Sequence, residues 1–139
     1  MKFSANVSLI FTAAILLAAC GAKSSDEDQV RAVIDSVEEA AEARDASDVL
    51  DHVADNYADS ASMDKPALRN FLRGYFLAHP KLELVVNVES VEFPVDGLAQ
   101  AVVSVTTVEF TDPGIHRLKV EFRRSGDDWQ VVRADRVAR

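Results

Sequence analysis

The stretch Phe76-Leu77-Ala78-His79-Pro80-Lys81-Leu82-Glu83-Leu84-Val85-Val86-Asn87-Val88 decides the fold, because the hydrophobic period changes within it. Before Pro80 the apolar residues Leu68, Phe71, Leu72, Tyr75 and Phe76 recur at helical spacing, and Pro80 disfavours helical geometry at His79. After Pro80 the period is two. Lys81 to Phe93 is rich in Val and Leu, Leu98 to Thr111 alternates small and β-branched residues, and Ile115 to Arg124 puts Leu118, Val120 and Phe122 on one face; Trp129 to Val137 follows. The links Pro94-Val95-Asp96-Gly97, Asp112-Pro113-Gly114 and Ser125-Gly126-Asp127-Asp128 are turn-forming and short, which predicts antiparallel hairpins.

Upstream, Val30, Val33, Ile34, Val37, Ala40 and Ala41 predict an amphipathic helix over Asp26 to Arg44. Ser25 and the acids Asp26, Glu27 and Asp28 suit its start, and Glu38, Glu39 and Glu42 form a solvated face. Ser47 or Asp48 caps a short second helix carrying Val49, Leu50, Val53 and Tyr57. A third begins near Asp64, with Pro66 tolerated in its first turn. The expected architecture is α+β, three N-terminal helices packed on a curved four-stranded antiparallel sheet.

The order helix, Ala43-Arg44-Asp45, a second helix ending in Asp55-Asn56-Tyr57, third helix, long hairpins and a strand opening Asp127-Asp128-Trp129-Gln130-Val131 resembles the NTF2-like (SnoaL-like) superfamily over Asp26 to Val137. The resemblance implies a cone with a pocket between helices and sheet, and frequent dimerisation through the sheet. The hairpin that many members place between the second and third helices has only Ala58 to Met63 to occupy, so that rim is shrunken or open. Members include isomerases, dehydratases, binding modules and structural domains, so the fold alone does not choose a function.

At the N-terminus, Lys2 precedes an apolar run from Val7 to Ala19, broken by Ser8 and Thr12, that reads as a secretory signal over residues 1–19. It is short for a bilayer span, which needs about 20 apolar residues. Leu17-Ala18-Ala19-Cys20-Gly21 resembles the bacterial lipobox. That resemblance implies a lipid on Cys20, a membrane anchor of several acyl chains, and, with Gly after the cysteine, sorting to the outer membrane facing the periplasm. Residues 20–28 are then lipidated cysteine and tether, and 29–139 the domain.

Fifteen Lys plus Arg against twenty-three Asp plus Glu give a net charge of -8, the wrong sign for gripping nucleic-acid phosphate. No HExxH, CxxC, GxSxG or phosphate-binding glycine loop occurs, and His52, His79 and His116 stand isolated. No catalytic residue, metal or cofactor is assigned. If Trp129 and Val131 face the helices, strand alternation brings Arg133 and Asp135 to the same inner face, to pair with each other, bind a ligand or lie at a wet mouth. Tyr57 and Tyr75 could present hydroxyls to that space or be core rings. These four are the candidate ligand contacts, with Arg133 suited to a small anion. The expected function is an envelope lipoprotein serving as a small-molecule or protein binding module, non-catalytic. The alternative is an isomerase or dehydratase with an acid or base in the cone. Val85, Val102 and Val108 leave the second face of the sheet apolar enough for a homodimer or an envelope protein partner.

Overall fold

A computed structural model describes residues 24–108 and 114–138. The expected signal segment, Cys20 and the first part of the tether lie outside the described residues. Helix α1 (Asp26–Glu42) starts where Ser25 Oγ accepts the Asp28 N–H at 3.1 Å, with three acids in its positive first turn. It buries Val30 and Ile34 and ends at Ala43; Arg44 then takes the left-handed conformation, φ 56°, that commonly closes a helix.

Helix α2 (Ala46–Asp51) departs from expectation at both ends. Its cap is Asp45, whose Oδ1 accepts the Ser47 and Asp48 N–H groups, rather than Ser47 or Asp48. It does not reach Tyr57, because from His52 onward the backbone is committed to the sheet edge: the Val131 N–H donates to His52 O and the Ala54 N–H to Val131 O. Helix α3 (Lys65–Ala78) begins under an Asp64 cap with Pro66 in the first turn, and closes at His79 before Pro80. The link from α2 to α3 is reduced to a single bridge, Ala58 to Asp64, as the short spacing predicts.

Strands β1 (Leu84–Val95), β2 (Leu98–Thr107), β3 (Gly114–Ser125) and β4 (Asp128–Arg136) form one antiparallel meander in chain order. Gly97 and Gly126, both at positive φ, turn two of the hairpins. The inner face carries Ala99, Ala101, Val103, Val120, Phe122, Trp129 and Val131, packed against Val30, Ile34, Leu50 and Val53. Phe122 is 1% exposed, a burial that contributes about 1.5–3 kcal/mol. Around Phe76 a second cluster joins Ala40, Val49 and Leu82.

Register shifts bend the sheet at Glu89 in β1 and at Val132 in β4. The second decides which side chains enter the cone. Phe122 pairs with Val131 but Glu121 pairs with Arg133, so Val132 is the extra residue and the alternation inverts beyond it. Ala134 then packs on the core, and Arg133 and Asp135 sit opposite Glu121 and Lys119 on the outer side. The expectation that both charges share the inner face with Trp129 is therefore corrected.

Candidate functional site

Between the helices and the sheet lies a cavity of about 260 Å³. The first helix supplies Ile34, Val37, Glu38 and Ala41 at i, i+3, i+4 and i+7, α3 supplies Leu68 and Leu72, and the inner strand residues close the other side. Its walls are almost wholly hydrocarbon. Only Glu38 and Tyr57 among the lining residues carry ionisable groups.

Both have structural partners. Glu38 Oε1 accepts the Val86 N–H at 3.1 Å, and one turn on Glu42 Oε1 accepts the Leu84 N–H at 3.0 Å. These are donors of an edge strand, which would otherwise stand unpaired beside the helix. Two of the three acids expected to form a solvated face thus clamp β1 to α1. Glu38 was legible as an exception, since it falls on the same helical line as Ile34, Val37 and Ala41.

Tyr57 is 4% exposed, with its ring in the cavity wall and its hydroxyl donating to Asp59 Oδ2 at 3.0 Å. Burial, then the Asp59 carboxylate, raises the phenol well above its ordinary pKa, so it stays protonated. Asp59 Oδ1 also accepts the Ala61 and Met63 N–H groups. Asp135 accepts the Ser60 N–H at 2.8 Å and pairs with the Arg133 guanidinium. Burial raises the Asp135 carboxyl pKa, but the Ser60 N–H and then Arg133 outweigh it and hold the acid below its usual range. Tyr57, Arg133 and Asp135 are therefore brought together around the 59–63 loop, which they pin to β4, while Arg133 and Asp135 line no part of the cavity.

Tyr75 lies elsewhere, against the second cluster, stacked on His79 at 4.0 Å between ring centroids and on Phe71 at 6.0 Å. His52 and His79 are helix C-caps, and His116 lies beside Gly114 at the start of β3. Among the described residues no group of three or more His, Cys, Asp or Glu is placed to hold a metal.

No protein-family model matches the sequence, and no curated protein does. Solved structures do match the fold. A calcium/calmodulin-dependent protein kinase type II association domain from Thiobacillus denitrificans superposes with a TM-score of 0.65 at 22% identity, covering 76% of this chain and 91% of that one. An NTF2-like protein of unknown function from Shewanella oneidensis gives 0.67 at 13% identity, over 81% and 98%. Another from Pseudomonas putida gives 0.64 at 20% identity, over 81% and 86%.

Proposed function

We propose that this chain, an NTF2-like cone by fold, is a lipid-anchored binding module of the bacterial envelope that takes a small, uncharged, largely apolar ligand into the cone. The observation that carries the ligand class is the hydrocarbon lining of the 260 Å³ cavity. Such a space exceeds the ~150 Å³ that holds benzene and falls short of the ~300–1,000 Å³ of drug-sized sites, which points to a ligand of about ten carbon atoms. An anion would lose its hydration there and meet no donor, since the one guanidinium expected inside is turned out by the Val132 bulge. Acid–base turnover finds no support in the wall, where Glu38 holds a backbone N–H and Tyr57 a carboxylate. The anchor rests on Leu17-Ala18-Ala19-Cys20.

The test is a thermal-shift screen of uncharged compounds of that size against the wild type and Val105→Phe, which projects a ring into the cavity. Ligands that raise the melting temperature of the wild type and not of the variant are expected, the rise growing with ligand concentration. Hits that are exclusively anions, or hits unaffected by Val105→Phe, would overturn the proposed ligand class.

A further inference from the structure

The third helix carries no acidic residue, and Lys65, Arg69 and Arg73 follow one another along it at i, i+4 and i+8. Lys65 is tied to Asp55 at 3.0 Å, but Arg69 and Arg73 are exposed and make no ion pair or side-chain hydrogen bond among the described residues. Side chains four apart on a helix stand about 5–6 Å apart at Cβ, so the two guanidinium forks can close on one group. Arg69 and Arg73 line one groove, and Arg73 with Ala46 and Ser47 also lines an adjoining one. Arg44, at the left-handed turn after α1, lines one of these grooves and makes no ion pair among the described residues.

Two carboxylates lie in these walls. Asp45 is spent on capping α2 through Oδ1, and Asp51 faces the lower groove. The guanidiniums outnumber them, and among the described residues no ion pair holds Arg44, Arg69 or Arg73. On a protein of net charge -8, these forks make no ion pair among the described residues, even with Asp51 in the groove that Arg69 and Arg73 line. At physiological salt, fields are screened over ~8 Å, so the distant acids do not cancel this local cluster.

We infer that the α2–α3 groove is a binding site for a phosphate group, gripped by Arg69 and Arg73 from α3 and by Arg44 from the end of α1. A phosphate is favoured because the three arginines line two grooves joined at Arg73, and each planar fork matches a pair of phosphate oxygens. The Ser47 hydroxyl in the shared wall supplies a further donor. The phosphate belongs either to a soluble phosphomonoester or to an anionic lipid headgroup, and the same residues serve both. This site is separate from the cone and independent of the apolar-ligand proposal.

The experiment follows backbone amides and arginine side chains by NMR, with the full chain held in maltoside micelles, which contain no phosphate. One arm titrates inorganic phosphate at constant ionic strength; the other dopes the micelles with phosphatidylglycerol. Saturable shifts at Ser47, Arg69, Arg73 and Gly74 are expected in at least one arm, and the arm that responds identifies the source. Arg69→Gln with Arg73→Gln should weaken binding by about tenfold or more, with unchanged circular dichroism. Asp51→Asn should tighten it, an outcome that misfolding cannot imitate. Shifts absent from both arms, reproduced by chloride, or indifferent to the arginine substitutions would overturn the assignment.

Discussion

Removing the Trp129 ring should cost the domain a large part of its stability, and the size of the loss can be worked from its surroundings. The residue is 2% exposed, meets Phe93 edge-on at 5.8 Å between centroids, and lies under the Arg124 guanidinium at 4.7 Å. Arg124 in turn pairs with Asp26 at 2.6 Å, so the ring is the point where the β3–β4 hairpin meets the start of α1. Trp129→Ala is expected to cost about 3–5 kcal/mol, of which the cation–π contact supplies about 0.5–1. Against a domain stability of about 5–15 kcal/mol, this lowers the melting temperature by some 10–25 °C. The indole Nε1 is buried without a hydrogen-bond partner among the described residues, a desolvation that costs about 1–3 kcal/mol. Trp129→Phe removes that burden while keeping an aromatic ring in place, so its loss should be under about 2 kcal/mol. Both variants remove the chain's single tryptophan, so urea unfolding is followed by far-ultraviolet circular dichroism. An Ala variant losing less than ~1 kcal/mol, or a Phe variant losing as much as the Ala variant, would refute the packing argument.

Three further outcomes are expected. Cys20→Ser should move the protein from the membrane pellet to the soluble fraction or leave it unprocessed; salt-resistant membrane association of a correctly processed variant contradicts lipid anchoring. The lipid-free chain should sediment as a dimer at micromolar concentration through the outer sheet face, where Val85 and Ile115 are 56% and 57% exposed, and Ile115→Glu should dissociate it; a wild type still monomeric at about a hundredfold higher concentration counts against this. Because the folded Asp135 carboxyl lies below its unfolded value of about 3.9, its contribution is present above that pH and lost as the pH falls through the folded value. The stability gap between wild type and Asp135→Asn should therefore be larger at pH 7 than at pH 3, and a gap unchanged by acid would show that the carboxylate's charge does not hold the 59–63 loop.

The elements were legible wherever a pattern repeats for several residues and a breaker ends it. Helix α1 announces itself by about three turns of apolar spacing and its Ser25 cap, α3 by Asp64 and Pro66 at one end and Pro80 at the other, and the meander by alternation between turn residues. Asp45 was missed as the α2 cap because Asp45, Ser47 and Asp48 all have capping chemistry, and only the backbone path chooses among them. The reach of α2 was overread because Val53 and Tyr57 keep helical spacing after the chain has left the helix to hydrogen-bond with β4. Spacing reports which residues are buried together, and a bridge along a sheet edge can bury the same two residues that a helix would.

The site was the less legible part, and one residue accounts for most of that. Counting by twos from Trp129 puts Val131, Arg133 and Asp135 inside, which makes Arg133 look like a ligand for an anion; the extra residue at Val132 puts Ala134 there instead. The signal was present as a change of phase, since the apolar positions run 129, 131 and then 132, 134, just as β1 runs 84, 86, 88 and then 91. A phase change in an alternating strand is what a bulge leaves in a sequence. In β4 its consequence reaches the cavity: Arg133 lies outside, and among the described lining residues there is no Lys, Arg or His. On α3, Arg69 and Arg73 are exposed because Phe76 and Leu72 claim the inner face of that helix.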